Sequence, residues 1–335
     1  MLTSQIAEKI SESVARSPSL HNCQPFRMSC AGDTIFILED PRRKLKIADP
    51  KNLDHEMSLG VWLEGLRLAL EEHDLYIENQ MELNELVGSS PLIRRVQIKV
   101  GRKNPTEHKD PLVSFVNRRK SYRGVFKSSD ISVESVSSIV QSIAGAAIIK
   151  NNLNVLWHKE YDTAAEHLYK LDGYWRELFS WMRFSKSDPN YGLDGLNAEA
   201  MALSGPEAFF AQFFLQPPCF SILQKLKLAH LLTTESAQIK SSLGFCLLKG
   251  KPGESRIELG RKFYQIWLKM TEARVFACPM SSLIDTNEGK EFLSDIFQLS
   301  KDEEPVAIWR FGSIPNEKVY FSPRISAQEL LVKDI

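Results

Sequence analysis

Two short stretches hold the residue types best suited to chemistry, and they lie far apart in the chain. The first is Ser17-Pro18-Ser19-Leu20-His21-Asn22-Cys23-Gln24-Pro25-Phe26, and the second is Arg119-Lys120-Ser121-Tyr122-Arg123-Gly124-Val125-Phe126. A guanidinium presents a planar fork of donors that suits a phosphate or carboxylate, and serine, asparagine and glutamine supply short polar groups for hydrogen bonding. Taken singly, each feature has an ordinary use: Ser-Pro-Ser ends or caps helices, and Arg-Arg-Lys commonly lies on a solvated surface. Their joint occurrence is what calls for a site.

Other signals point away from chemistry. His21 and Cys23 flank Asn22, but residues two apart need not face each other, and a partly buried cysteine is the plainer reading. Gly250-Lys251-Pro252-Gly253 lacks the spacing and the terminal Lys-Ser/Thr of a phosphate loop. No G-x-G-x-x-G follows a strand. The five cysteines are scattered without a C-x-x-C, which argues against a disulfide framework or a zinc site and for a reducing compartment. With 42 basic against 42 acidic side chains there is no concentrated basic footprint for nucleic acid. No signal-like apolar segment or membrane-spanning run is present, so the expectation is a cytoplasmic protein with no membrane partner.

The elements that must carry these residues show a succession that occurs twice. Residues 55–72 form a nearly all-apolar helical stretch, which implies a central, largely buried helix, and residues 256–273 repeat its pattern without gaps. Leu59-Gly60 matches Leu259-Gly260, Leu63 matches Phe263, Leu66 matches Ile266 and Glu72 matches Glu272. Each helix precedes a strand-like alternation ending in glycine, Val96 to Gly101 and Ala307 to Gly312. Upstream, a helix over Ser4 to Ala15 and a strand over Thr34 to Leu38 have predicted counterparts in Val133 to Ala144 and Leu153 to Trp157. The reading is an α+β fold of two degenerate copies, 1–112 and 113–335. Between strand and central helix the second copy inserts a helical excursion at about 160–250, with helical signals over Tyr161 to Arg183, Asn197 to Phe214 and Cys219 to Leu243 and a break at Pro217-Pro218.

The first stretch resembles the P-S-x-x-N-x-Q-P-[WF] segment of the FMN-dependent nitroreductase family, and the second resembles its R-x-S-x-[RK] segment. In that family the two segments of one site come from two identical subunits. The chain resembles the single-chain, Acg-type branch, in which two such subunits are fused, and Gly124 and Phe126 after Arg123 fit that branch. The resemblance implies one FMN per chain, held by Pro18, Ser19, Asn22 and Gln24 from the first half and by Arg119, Ser121 and Arg123 from the second. Arg324, in Phe321-Ser322-Pro323-Arg324-Ile325, resembles the second phosphate arginine, and the equivalent Lys109-Asp110-Pro111 has none. Ala277-Cys278-Pro279-Met280-Ser281-Ser282 stands where the family places a backbone N–H near flavin N5, so Pro279, Met280, Ser281 and Ser282 join the candidates, although Ser281-Ser282 replaces the usual Glu-Gly.

The resemblance thus implies an oxidoreductase that moves a hydride from NAD(P)H through FMN to a nitroaromatic, quinone or similar small electron-poor acceptor. The alternative is an FMN-sequestering protein whose insertion, Trp175 to Leu215, closes over the flavin as a lid. A scaffold that has lost flavin is disfavoured by the retention of Arg119, Ser121, Arg123 and Arg324. On this reading the chain is a monomer acting as a pseudo-dimer, with further pairing of chains left open.

Overall fold

The computed structural model describes residues 2–104, 108–151, 154–314 and 322–332. The first half runs α1 (Ser4–Val14), β1 (Phe26–Ala31), β2 (Thr34–Glu39), α2 (Leu53–Glu72), β3 (Leu75–Leu86) and β4 (Ile93–Arg102). α1 begins where the Thr3 hydroxyl accepts the Ile6 N–H at 3.2 Å, and it buries Ala7, Ile10 and Val14 at helical spacing. The β1–β2 turn needs only Gly32-Asp33, with Gly32 at φ +59°, the left-handed conformation that tight hairpins require. The second half runs α3 (Val133–Val140) and β5 (Ala146–Lys150), then a helical excursion of α4 (Trp157–Tyr169), α5 (Tyr174–Ser180), the short strands β6 (Met182–Arg183) and β7 (Leu196–Asn197), α6 (Gly205–Phe214), α7 (Pro217–Lys225), α8 (His230–Thr233) and α9 (Ser236–Lys240). It returns as β8 (Gly244–Gly250), α10 (Arg256–Glu272), β9 (Phe276–Pro279), α11 (Ser282–Asp285), α12 (Asn287–Phe297), β10 (Glu304–Gly312) and α13 (Ala327–Leu330).

Among the described residues the two large sheets are antiparallel and share one strand order. The first is β1-β2-β4-β3 and the second β5-β8-β10-β9, so in each the order is first, second, fourth, third. Between the second and third strand of each stands a long helix, α2 or α10, and these two helices pack on each other. At their crossing Gly60 faces the Ile257 carbonyl and Gly260 faces the Met57 carbonyl, a reciprocal contact that only residues without a Cβ allow. One core lies between the first sheet, α1 and α2, and another between the second sheet, α3 and α10. The second sheet also buries its other face, with Trp157, Phe245 and Ile308 packing against α11 and α12.

Three sequence expectations need correction. The strand opening the second sheet is Ala146–Lys150, not Leu153 to Trp157: Trp157 begins α4, and Leu153 lies outside the described residues. The excursion therefore replaces the β1–β2 turn equivalent, residues 151–243 between two adjacent strands, rather than the link from strand to central helix. It ends before Gly244, because β8 pairs with both β5 and β10. Pro217-Pro218, read as a break, starts α7, where the missing proline N–H costs nothing.

A buried ionic group ties the end of β2 to α2 and β4. Glu39, 1% exposed, lies 2.7 Å from Lys44 Nζ and 3.1 Å from His55 Nε2, and pairs with Arg95, which also bonds Glu56 at 2.8 Å. Burial alone would push the Glu39 carboxyl up, but the hydrogen bonds from His55, Lys44 and Arg95 bring it down to about 2. Its stabilising contribution is full above the ordinary value of 4.5 and is lost as pH falls through 2. Denaturant midpoints measured across acid pH are expected to fall over that window, and Glu39→Gln is expected to lower the neutral-pH midpoint and flatten the slope.

Candidate functional site

The loop after α1 is held in a costly shape. His21, Asn22 and Gln24 all have left-handed backbone, at φ 45°, 56° and 48°. Such strain persists only where surrounding bonds over-determine it. Here the Ser19 hydroxyl accepts the Gln24 N–H at 2.9 Å, and the Gln24 side chain accepts the Ile325 N–H at 3.0 Å while donating to the Leu193 carbonyl at 2.8 Å. Asn22 donates both amide hydrogens, to the Gly195 and Pro323 carbonyls at 2.9 Å each. Burial lowers His21 to about 4, with Arg123 repulsion adding to it, and raises the Cys23 thiol to about 12, so neither forms a thiolate–imidazolium pair. Pro18 and Ser19 line a crevice of only about 10 Å³.

The arginine segment reaches this loop from the second half. The Arg119 N–H bonds the Phe115 carbonyl at 2.9 Å, and the Tyr122 N–H bonds Ala277 of β9 at 3.1 Å. The Arg119 side chain, 5% exposed, donates to the Arg16 carbonyl at 2.9 Å and lies 4.6 Å from the Trp267 ring of α10. Arg310, which sequence reasoning missed, is wholly buried in β10 and donates to the carbonyls of Arg123 at 2.9 Å and Gly124 at 3.2 Å. Its signal was a charge inside the run Ala307-Ile308-Trp309-Arg310-Phe311, every residue of which is buried.

Arg324, half-buried, completes a cationic cluster with the buried Arg119. It donates to the Asn22 side-chain Oδ1 and to the Pro323 backbone carbonyl, the latter at 3.0 Å. Burial, then repulsion from Arg119 and Arg16, lowers it to about 9; burial also lowers Arg119. Among the described residues no carboxylate pairs with Arg119 or Arg324, and the Nε of each has no partner. Buried cations are ordinarily paired, so the arrangement asks for an anion. The corresponding surface of α2 is different: where α10 has Tyr264 and Trp267, α2 has Glu64 and Arg67, with Arg67 bonded to Glu64 and Asp110 at 2.7 Å. Lys109, near the position equivalent to Arg324, pairs with Asp74 at 2.8 Å. That side is internally neutralised.

The excursion is clamped onto the cluster. Asp194 bonds Arg183 and Arg43 at 2.9 Å each, and the Glu177 carboxylate accepts the Lys46, Ile47 and Ala48 N–H groups at 2.7, 3.0 and 2.8 Å. Arg123 donates to the Ala200 carbonyl at 3.1 Å. Beside it opens a cavity of about 740 Å³, bordered by Ser121 and Arg123 on one side and by Phe184, Tyr191 and Phe209 of the excursion on the other.

The structure therefore brings Ser19, Asn22, Gln24, Arg119 and Arg324 into one polar junction, and puts Ser121 and Arg123 at the cavity. Pro279, Met280, Ser281 and Ser282 border neither this cavity nor the Pro18–Ser19 crevice. Pro279 pairs with Trp309 in the sheet, Met280 is wholly buried with its N–H on the Ile308 carbonyl at 2.9 Å, and Ser281 leads into α11. Phe321 lies outside the described residues.

No family model and no curated protein matches the sequence. Among solved structures the chain is similar to an FMN- and NADPH-dependent nitroreductase, NfnB, from Sphigopyxis sp. strain HMH, at 12% identity and TM-score 0.37, over 67% of this chain and 99% of that one. It is similar to a nitroreductase with bound FMN from Desulfitobacterium hafniense DCB-2, at 11% identity and TM-score 0.39, over 68% and 100%. A BluB-like flavoprotein from Clostridium difficile 630 is similar at 14% identity and TM-score 0.36, over 68% and 100%.

Proposed function

We propose that the chain binds one FMN and passes electrons from NAD(P)H to a small electron-poor acceptor. The observation that carries this reading is the pair Arg119 and Arg324, contributed by distant segments, the first buried and the second half-buried, repelling each other and lacking a carboxylate among the described residues. Two guanidinium groups with unused Nε donors fit a dianionic phosphate. Arg119 and Arg324 would hold that phosphate, and Ser121 and Arg123 would meet the rest of the cofactor at the cavity, Arg123 supplying a cation that favours an electron-rich ligand. Held there, FMN would supply the hydride and electron-pair transfer chemistry that links reduced nicotinamide to the acceptor. The matching strand orders and the reciprocal Gly60–Gly260 contact support two fused copies, and the neutralised surface of α2 supports one site rather than two.

A second reading, sequestration of FMN, is favoured by the clamp. Residues 193–200 of the excursion bond Asn22, Gln24 and Arg123, so Asn22 and Gln24 meet a ligand only when that segment moves. The visible spectrum of the purified protein, reconstituted with FMN, separates the readings. Near-unit flavin that bleaches anaerobically with NADH or NADPH, and that is absent from Arg119→Ala, is the expected result. Bound flavin reduced by dithionite but not by nicotinamide would assign sequestration, and failure to retain FMN at all would overturn the site.

A further inference from the structure

The excursion ends in a surface that the flavin reading leaves unused. On α6 the side chains of Phe209, Phe210, Phe213 and Phe214 are 59%, 58%, 47% and 47% exposed. Phe209 and Phe213 touch at 5.1 Å between ring centroids, and Phe210 and Phe214 lie 6.4 Å apart on the neighbouring side of the helix. A helix apolar on more than one side belongs in an apolar medium, yet α6, α7 and α8 together bury only Ala208 and Phe220. Ile222 of α7, Leu226 just after it, and Leu231 and Leu232 of α8 extend the exposed apolar surface. Contiguous patches of this kind mark interaction sites.

We propose that α6, α7 and α8 dock this chain on the surface of a lipid bilayer with anionic headgroups. The charge pattern fits that occupant. From residue 200 to residue 234 the one acid is Glu207, whose carboxylate is committed to the Ser204 N–H at 2.7 Å in a helix cap, while Lys225 and Lys227 are both exposed. Aromatic and aliphatic side chains with lysines at the rim are the composition of helices that lie in the headgroup region, where each lysine adds attraction to anionic lipid. A second copy fits less well. Two-fold pairing through this face would bring the lysines of both copies together, and a flat partner covers one stripe of α6 rather than two. No described helix is long and apolar enough to cross a membrane, so the docking is peripheral. Phe209 also borders the 740 Å³ cavity, which joins the docked face to the candidate site.

The test is flotation of the full chain with vesicles of phosphatidylcholine, with and without phosphatidylglycerol, alongside analytical ultracentrifugation without lipid. The wild type is expected to float with the anionic vesicles and to sediment as a monomer. F213S/F214S is expected to lose at least about tenfold in partitioning, since each ring withdrawn from lipid forfeits its transfer free energy. K225E/K227E is expected to lose the preference for anionic lipid. All four side chains are exposed, so the thermal melts should match wild type. Failure to float with either vesicle, or equal flotation of F213S/F214S, would overturn the proposal. A dimer dissolved by F213S/F214S would also overturn it and give the face to a second copy. None of these outcomes depends on flavin, so they stand apart from the fate of the proposed activity.

Discussion

Gly60→Ala is expected to destabilise the protein by about 3 kcal/mol or more, at a helix position where alanine ordinarily gains about 1 kcal/mol over glycine. The reversal follows from the crossing of α2 and α10. A Cβ on Gly60 would stand 1.9 Å from the Ile257 carbonyl oxygen and 3.0 Å from the Gly260 Cα; a Cβ on Gly260 would stand 2.1 Å from the Met57 carbonyl oxygen and 3.0 Å from the Gly60 Cα. These are backbone atoms, so no rotamer change relieves the clash. The helices must separate, which loosens the packing of Leu59, Leu63 and Ile257 in one core and of Met57 and Leu259 in the other. Gly260→Ala should cost about as much, and the double variant less than the sum, because one separation accommodates both methyls. Gly192→Ala, with open space around it and no positive φ, is the control expected to change little. Urea midpoints of the wild type and the four variants decide the matter; a neutral Gly60→Ala would mean that the helices cross at a greater distance.

The same glycines show why part of this fold was legible in sequence. The Leu-Gly match at 59–60 and 259–260 marks a contact that the two central helices make reciprocally; α2 is legible as an apolar run too long for a strand, and α10 by the helical spacing of Leu259, Phe263, Ile266, Trp267 and Met270. The strands were harder to see. β8 reads Gly244-Phe245-Cys246-Leu247-Leu248-Lys249-Gly250 and does not alternate, because its sheet is covered on both faces. β3 is mostly exposed and carries Glu78, Glu82 and Glu85, and its apolar residues do not keep a regular alternation. β5 is a five-residue run after a tight glycine, Gly145 at φ +90°, and the equally apolar Leu153 to Trp157 competes with it for the strand. In the site, the two segments were recognisable because their residue types are unusual together. Asp194, Arg43 and Arg310 were not, since each acts by holding a backbone or a neighbouring charge whose position only the fold supplies.

Arg119→Met and Arg324→Met are expected to move stability and ligand binding in opposite directions. In the ligand-free chain each guanidinium has a solvent-shielded, unpartnered Nε and faces like charge, so its charged form is disfavoured, as the lowering of Arg324 to about 9 expresses. Methionine keeps much of the volume and removes that penalty. Arg119 gives up a hydrogen bond to Arg16 and its place over Trp267, which offset part of the gain, about 1 kcal/mol for the hydrogen bond. The ligand-free melting temperature of Arg119→Met should therefore hold or rise. FMN supplied at about a hundred times its Kd stabilises a protein by about 2.7 kcal/mol, a shift the wild type should show and both variants should lose. Arg119→Lys should keep a fraction of the shift, since an ammonium retains the charge without the planar fork. Melting curves with and without FMN are the measurement. A ligand-free Arg119→Met that loses about 3 kcal/mol, the size of a core defect, would identify Arg119 as a pillar of the interface between the halves, and the anion site would then have to be sought elsewhere.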